Sequence, residues 1–378
     1  MARGVVVLAP ETVYVADEVN LGRISTTGVV IHPGCRIRGE RTVISANCEL
    51  GAEAPLTLEN CALGRGVKLK GGYATASVFL AGVTVGSGAQ IRAACLLEEQ
   101  SSVAHNVGLK QTILFPYATI GSLVNFCDCL LAGGTSRHHH SEVGSGYIHF
   151  NFTPAGHKAT ASLFGEVARG VWLREAPVFL GGGGGAVGPV KVGYGAVVGA
   201  GSILKEDVAD GVQIIAPPQP SCKEADVYAY PRLERTIARN VEYIAQLIAL
   251  RVWYHQVRSV FFANLEYGDE LLQAARFVLD RALLERIERF KGWAATVRPE
   301  VAETAQLPAR IAAIAAAITD YEPQFDMALI ADIAASDPSY LSAIAALRDP
   351  VVATGRQALN DIITAITAKA TKEQSRRI

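Results

Sequence analysis

Residues 192–203 read VGYGAV and then VGAGSI, two six-residue units that each place an aliphatic residue before a glycine. In such a unit a short strand points one aliphatic side chain inward, and a glycine or small residue permits the turn. Three units close a triangular coil of about eighteen residues, and stacked coils bury the apolar face that a single coil leaves open. We therefore predict a left-handed parallel β-helix of hexapeptide repeats. The same period runs unbroken through Val85, Ile91, Leu97, Val103 and Leu109.

The composition of the chain changes near residue 217. Before it, glycine recurs among valine, isoleucine and leucine, whereas after it alanine, leucine, arginine and glutamate dominate. Residues 216–220 read APPQP, and prolines there favour an extended linker over a helix. We predict a β-helix domain over residues 1–216 and an α-helical domain over residues 217–378. Apolar residues at helical spacing predict helices from Leu233 to about Val257 and over about 269–296, 301–320 and 337–372, with a break or kink at Pro350.

The bulk properties argue against several classes of protein. The formal net charge of the 378 residues is −1, so neither nucleic acid nor an anionic membrane is expected as a partner. No apolar run reaches the roughly eighteen residues that a spanning helix needs, and the first apolar run is too short for a signal peptide. The seven cysteines are an odd number, and we expect reduced thiols in the cytoplasm. Four of them fall among the repeats and are predicted to be core residues: Cys35, Cys48, Cys61 and Cys95.

Polar residues concentrate at positions 135–160, inside the repeat region. This segment reads TSRHHHSEVGSGYIHFNFTPAGHKAT and holds five of the eight histidines. Regular β-helix coils do not need such residues, so this departure from the repeat asks for a functional explanation. A neutral histidine, with an ordinary pKa of about 6.5, is suited to take a proton near neutral pH. The plain alternative, a solvated loop for the three successive histidines, stays open.

The segment resembles the acetyltransferase domain of the bacterial bifunctional enzyme that acetylates glucosamine-1-phosphate and then uridylates it. That domain carries a histidine base on one coil. A later coil carries a Gly-Ala-Gly step and an Asn-Tyr-Asp-Gly loop, followed by lysines and a threonine. Here residues 144–146 read GSG and residues 151–154 read NFTP, with Lys158 and Thr160 behind them. The likeness covers about residues 113–208.

The chain also departs from the pattern of that family. Where the family places basic residues for the sugar phosphate, this chain has Thr119 and, at positions 127–130, CDCL. The uridylyltransferase domain, with its glycine-rich nucleotide loop, has no counterpart in the sequence. The three successive histidines leave the choice of base open, and His140 is favoured because residues 140–144, HSEVG, best resemble the family's histidine-to-glycine step. These departures weaken glucosamine-1-phosphate itself as the acceptor.

The resemblance implies an acyltransferase that uses acetyl-CoA and an amino sugar or sugar phosphate, assembled as a trimer with sites between neighbouring prisms. It implies His140 as the base, Glu142 as the group that orients the imidazole, and Asn151 as a donor to the oxyanion. The residues expected to bind the acceptor are Arg137, His139, His157 and Lys158. The residues expected beside the coenzyme, where small side chains leave room for the pantetheine arm, are Ser145, Gly146, Gly182, Gly199 and Ala200.

Other classes of function stand beside this one. In the second hypothesis the β-helix binds a sugar nucleotide or serves as a scaffold without catalysis, and the helical half recruits a partner or joins subunits. In the third, the chain is a subunit associated with a nucleotidyltransferase on a separate chain. A zinc site of the kind that γ-class carbonic anhydrases build on this scaffold is not expected, because Ser145 stands where the last histidine is needed. Residues 181–185 read GGGGG, but no Gly-Lys-Ser/Thr of a phosphate loop follows.

Overall fold

The computed structural model describes residues 4–150, 160–214, 233–296, 306–319, 326–334 and 337–375. From Val6 to Ile214 the chain winds through short parallel strands, each stacked on a strand of the next coil. Thr84, for example, pairs with Ser102, and Ser102 pairs with Thr119 one coil further on. The strands form three faces around one apolar core, which confirms the predicted left-handed parallel β-helix of hexapeptide repeats.

Face 1 is a sheet of eleven short strands. The second residue of most of these strands is buried and the first is not, because side chains alternate between the core and the surface. Its strands are Val6–Val7, Val30–Ile31, Glu49–Leu50, Lys68–Leu69, Thr84–Val85, Ser102–Val103, Thr119–Ile120, Glu142–Val143, Phe179–Leu180, Val197–Val198 and Gln213–Ile214.

Faces 2 and 3 belong to one sheet, because the strands Gly108–Leu114 and Asn125–Leu131 run through both. The other strands of face 2 are Tyr14–Val15, Arg36–Arg38, Leu56–Glu59, Gly72–Thr75, Ala89–Ile91, Ile148–Phe150, Gly185–Val187 and Ile203–Leu204. The other strands of face 3 are Val43–Ile44, Ala62–Leu63, Val78–Phe79, Leu96–Leu97, Ser162–Phe164 and Lys191–Val192.

The cysteines within the repeats are part of the core. The predicted set is at most 1% exposed: Cys35, Cys48, Cys61 and Cys95. Burial raises the pKa of the last three thiols to about 12, so they stay protonated and unreactive at neutral pH. This confirms their interpretation as small core residues.

The second half of the chain is helical, as predicted. A π-helical turn at Tyr254–Arg258 joins the second helix to the third. In chain order, the helices are α1 (Val167–Gly170), α2 (Leu233–Trp253), α3 (Ser259–Phe262), α4 (Gly268–Thr296), α5 (Leu307–Thr319), α6 (Met327–Ala334), α7 (Tyr340–Ala346) and α8 (Asp349–Ser375).

Three details differ from the sequence prediction or extend it. The predicted helix over 337–372 is two helices, and Pro350 lies in the first turn of α8, where its missing N–H costs no hydrogen bond. The helix α6 was not anticipated, and α1 interrupts the β-helix itself. The predicted domain boundary at residues 216 and 217 lies outside the described residues.

The helices α2 and α4 form an antiparallel pair along face 3. α2 begins beside the last coils, where Arg235 binds Asp207 at 3.0 Å, and its Gln246 accepts a hydrogen bond from the Val167 backbone N–H at 2.8 Å. α3 then leads to the first coils, and α4 returns along the strands Ala62–Leu63, Val78–Phe79 and Leu96–Leu97. Helices α5 and α8 pack on the outside of this pair.

Face 3 carries a sequence signal for this packing. Both residues of its strands are buried from Val43–Ile44 to Ser162–Phe164, so the outward positions are apolar as well as the inward ones. Paired apolar residues in every third repeat therefore mark the face that a second layer covers. None of the described helices has both the length and the apolar character that a crossing of the bilayer needs.

Candidate functional site

The predicted base lies on a hairpin that projects from the corner between face 3 and face 1. In most coils this corner is a short turn, but here two antiparallel strands, Gly134–Ser136 and His139–His140, interrupt the repeat. Gly133 and Gly134 open the hairpin with φ values of 107° and 98°, which side chains with a Cβ rarely adopt. Residues 134–140 are called the hairpin below.

Arg137 ties the hairpin to the two preceding coils. Its Nη1 donates to the carbonyl oxygens of Gln100 at 3.0 Å and Tyr117 at 2.6 Å, and to the hydroxyl of Thr119 at 3.1 Å. Gln100 and Tyr117 occupy equivalent turn positions one coil apart, and both have positive φ. A single guanidinium nitrogen therefore holds the hairpin against the stacked corner.

His140 is partly buried in the described structure, whereas His138 and His139 are exposed. Burial and the positive charge of Arg137 lower the pKa of His140 below its ordinary value of 6.5. The ring is therefore neutral at physiological pH, as a general base needs to be. Its Nδ1 is buried without a hydrogen-bond partner among the described residues. His139 lies with Nδ1 at 3.2 Å from the Thr135 hydroxyl.

Glu142 begins the strand that follows the hairpin on face 1 and is half-buried. Its charge raises the pKa of His140, an effect smaller than the lowering by burial and by Arg137. Within the described part of the chain, no hydrogen bond joins Glu142 to His140, so Glu142 acts on the imidazole through its charge here.

The residues expected beside the coenzyme form a column at the corner between face 1 and face 2. This column, called the glycine corner below, comprises residues 144–146, 181–184 and 199–202. A Cβ on Gly144 would lie 2.3 Å from the backbone nitrogen of Gly182, and a Cβ on Gly181 would lie 2.3 Å from that of Ala200. Glycine at these positions therefore lets successive coils approach closely.

The column continues into the preceding coils. The Ser122 backbone N–H donates to the Ser145 hydroxyl at 3.2 Å, and the Ser122 hydroxyl lies 3.1 Å from Nδ1 of His105. Ser145 and Ala200 are exposed. The glycine corner thus presents small side chains and accessible backbone along several coils, a surface along which an extended chain can lie.

The described structure brings the predicted residues together in two groups rather than one. Arg137, His139 and His140 share the hairpin, and the five coenzyme candidates share the glycine corner. The strand Glu142–Val143 separates the two groups within one chain. Asn151, His157 and Lys158 lie outside the described residues.

His149 has a structural role that the sequence analysis did not identify. It points into the core, 7% exposed, with Nδ1 at 2.8 Å from the Cys127 carbonyl oxygen and Nε2 at 2.7 Å from the Ser162 hydroxyl. Burial lowers its pKa to about 4, so it is a neutral core residue. Its place as the second residue of the strand Ile148–Phe150 is the sequence signal for this orientation.

The coils carry no basic residue at Thr119 or at positions 127–130, but two arginines of the helical half lie close to Asp128. Arg286 and Arg289 on α4 reach Asp128 at 2.6 and 3.1 Å, at the corner between face 2 and face 3. Asp128 is 8% exposed. No sequence spacing links these residues, because the helix pair brings them together only in the folded chain. No group of three or more histidine, cysteine, aspartate and glutamate side chains is placed to hold a metal ion in the described ranges.

Comparisons with known proteins agree with this architecture. No family model matches the chain. It is 30% identical over 208 residues to the bifunctional protein GlmU of Thermotoga sp. (strain RQ2), a match that covers 55% of this chain and 41% of that protein. It is 33% identical over 213 residues to GlmU of Mycobacterium avium (strain 104), covering 56% and 38% respectively. The chain thus spans less than half the length of these relatives.

Solved structures give weaker likenesses. The polySia-specific acetyltransferase NeuO has 13% identity and a TM-score of 0.20, covering 57% of this chain and 80% of that chain. LpxA from Acinetobacter baumannii has 12% identity and a TM-score of 0.21, covering 82% and 95%. Scores this low add nothing to the case for fold or function.

The repeats and the sequence relatives agree on the scaffold. The β-helix is built from hexapeptide repeats, and its repeat region is homologous to the acetyltransferase region of GlmU.

Proposed function

We propose that the chain transfers an acetyl group from acetyl-CoA to the amine of an amino sugar or a sugar phosphate of the glucosamine-1-phosphate type. The observation that carries this proposal is a neutral, partly buried His140 on an insertion, in a chain homologous to the acetyltransferase region of GlmU. Because its odd number of cysteines suits a reducing compartment, we place the reaction in the cytoplasm.

The proposed chemistry uses His140 as a general base. A protonated amine cannot attack a thioester, so the acceptor reacts as the free amine, after its extra proton has gone to solvent. The imidazole then takes an N–H proton as the amine nitrogen bonds to the carbonyl carbon. The carbon–sulfur bond then breaks, and the proton goes to the leaving thiolate, which gives the amide and free coenzyme A. Glu142 stabilises the imidazolium by its charge, and Asn151 is the proposed donor to the oxyanion.

The acceptor is proposed to bind beside the hairpin. The Nη2 and Nε atoms of Arg137 make no hydrogen bond to a described residue, so they are open to a phosphate or carboxylate of the acceptor. His139 is exposed beside them. His157 and Lys158 complete the proposed acceptor set.

The coenzyme is proposed to lie along the glycine corner, against Ser145, Gly146, Gly182, Gly199 and Ala200. The strand Glu142–Val143 separates this corner from the hairpin of the same chain, so we propose that a neighbouring copy completes the site in a homotrimer. A three-fold ring joins two different patches of each subunit, which this arrangement requires. No described helix packs on face 1 or face 2. Phe179 and Val197, each 39% exposed, extend the column of Glu142 on face 1.

Calorimetric titration with acetyl-CoA, with adenosine diphosphate as a control, tests the donor half. We expect saturable binding near one equivalent per subunit, clearly tighter than the control. Ala200→Trp fills the glycine corner at an exposed position and is expected to abolish this binding. Ala93→Trp, at an exposed turn on a different corner, is the matched control and should leave it unchanged. No binding at millimolar coenzyme would remove the acyltransferase proposal.

The base is tested by His140→Ala in a screen of amino-sugar acceptors. Loss of a general base lowers turnover by about 10²- to 10⁴-fold. The acidic limb of the wild-type rate profile should lie below pH 6.5, because the pKa of His140 is lowered and the ring loses activity only when it is protonated. His139→Ala, on the same hairpin but exposed, should keep the rate profile and change acceptor KM. Unchanged turnover in a folded His140→Ala would assign the base elsewhere.

The second candidate is a non-catalytic β-helix that binds a sugar nucleotide or a protein partner. One observation favours it: Arg286 and Arg289 of the helical half, which lie against the coils, are already paired with Asp128. Stable co-purification of a partner through residues 221–378, together with absent coenzyme binding, would support this alternative.

A further inference from the structure

The hairpin has no apolar core of its own that would fix it on the β-helix. In its seven residues, Thr135, His138 and His139 are exposed, and the two short strands pair only with each other. At its base the Gly134 backbone N–H donates to the Glu175 carbonyl oxygen at 3.0 Å. Beyond the base, Arg137 reaches back to the preceding coils at Gln100, Tyr117 and Thr119. The orientation of His140 therefore depends on how firmly that guanidinium is held.

The acceptors of Arg137 lie on a rigid part of the molecule. The Tyr117 backbone N–H donates to the Glu99 carbonyl oxygen at 3.0 Å, so the two turns are bonded to each other. The residues before Gln100 are fixed by the helical layer: Glu98 accepts a hydrogen bond from the Tyr254 hydroxyl at 2.5 Å, and Glu99 binds Arg258 at 2.5 Å. Arg258 is 1% exposed and lies 3.7 Å from the centre of the Tyr340 ring.

We propose that Arg137 is a positioning residue that clasps two successive coil turns and thereby fixes the hairpin with His140 directed to one place at the corner. A lysine would end in a compact ammonium on a flexible stem, whereas the planar guanidinium aims Nη1 at the three acceptors and leaves Nη2 and Nε without a partner among the described residues. The inference rests on His140 as the base of the proposed function, and it goes beyond the expectation that Arg137 only binds substrate.

The charged groups that face His140 are few. Arg137 and His139 lower its pKa and Glu142 raises it, with burial as the largest cause of the net lowering. Removal of the Arg137 charge therefore moves the pKa of His140 upward. Release of the hairpin into solvent moves it in the same direction, because the burial that disfavours the imidazolium is lost.

The test follows His140 and the hairpin amides by NMR and hydrogen exchange in the full-length protein, with no substrate present. In Arg137→Met we expect the His140 titration to move toward that of an exposed histidine, and exchange of the amides of residues 134–140 to become at least about tenfold faster. Arg137→Lys keeps the positive charge but not the hydrogen-bond geometry of the guanidinium. We therefore expect faster exchange of the amides of residues 134–140, with a smaller shift in the pKa of His140. Arg36→Met, an exposed arginine on face 2, is the matched control.

These readouts separate the positioning role from the proposed activity. Unchanged titration and exchange in Arg137→Met would overturn the clasp, whether or not the protein transfers an acyl group. If the protein is active, a clasp predicts a fall in kcat and an acidic limb shifted to higher pH, whereas a residue that only binds the acceptor predicts a rise in KM alone. If the protein is inactive, the changes in exchange and titration still stand and only the proposed function fails.

Discussion

Face 3 and face 1 are built from the same repeat, yet they meet different surroundings. On face 1 most strands bury one residue and leave the other toward solvent, as at Thr84–Val85. On face 3 of the same coil, Leu96–Leu97 buries both. The difference lies in the outward residue alone, since the inward residue is aliphatic in both cases. In each six-residue repeat, the outward residue therefore decides whether that face is covered by helices or exposed. The covered contact between face 3 and the helices is called the seam below.

This difference assigns separate tasks to the faces. Face 3 is occupied by the helix pair, so it cannot pack against another copy of the chain. The hairpin, the glycine corner and the apolar pair Phe179 and Val197 all border face 1, which no described helix covers. A neighbouring subunit or a substrate has to approach from faces 1 and 2.

The largest expected effect comes from an aspartate on the covered face. Leu96→Asp places a charge where the side chain is 0% exposed, against α4. We expect a loss of more than about 4 kcal/mol in the free energy of unfolding, and detachment of the helical layer. Urea denaturation followed by circular dichroism measures this.

Thr84→Asp in the same coil is the matched variant. It puts the same charge on the outward position of face 1, where a half-exposed threonine stands, and should change stability by no more than about 0.5 kcal/mol. Equal destabilisation by the two variants would mean that face 1 is also covered in solution, for instance by a second copy.

Repeats made most of this fold predictable, because the hexapeptide period reports a local rule that every coil obeys. Most of the helices after residue 232 followed from apolar spacing, although α6 did not, and Pro350 marked a real break near the start of α8. Paired apolar residues such as Val43–Ile44 also indicate the seam on face 3. These pairs predict the covered face only after each strand has been assigned to a face of the stacked coils.

A second, smaller effect is expected where the seam contains ions. Asp128→Asn leaves Arg286, with a side chain 2% exposed, without its buried carboxylate. Breaking a buried pair by removing one partner costs about 3–5 kcal/mol, because the remaining charge is uncompensated. The double variant Asp128→Asn with Arg286→Met should recover part of that loss, since the buried charge is gone. Thermal and urea unfolding of the three variants measure the coupling.

The comparison on face 1 is the exposed pair of Lys68 and Glu49, whose side chains are 55% and 36% exposed. Glu49→Gln should cost at most about 1 kcal/mol, because water and salt screen the pair. A loss as large as that of Asp128→Asn would contradict the division between seam and open surface.

The candidate site was less predictable than the fold, for physical reasons. The stretch TSRHHH has no alternation of apolar and polar residues, so nothing in it signals two antiparallel strands. The partners of Arg137 are mainly backbone carbonyls, which carry no sequence signature, and Arg286 lies 158 positions from Asp128. Side-chain chemistry singled out the segment, but long-range contacts decide what each residue touches there.

The last expected effect is a pH dependence at the other edge of the seam. Burial raises the pKa of Glu98 from 4.5 to about 7, although Arg258 and the Tyr254 hydroxyl oppose the shift. The folded protein therefore binds this proton more tightly than the unfolded chain. The resulting stabilisation is complete below about pH 4.5 and is lost as the pH rises through 7, and its full size is roughly 3 kcal/mol. Glu98→Gln keeps the hydrogen-bond acceptor for Tyr254 but cannot ionise, so its stability relative to the wild type should improve steadily between pH 5 and pH 8. Denaturant unfolding of both proteins across that range measures the difference. A constant difference would mean that Glu98 keeps its charge at pH 5, and that the helical layer holds Arg258 against a permanent carboxylate rather than a proton-dependent one.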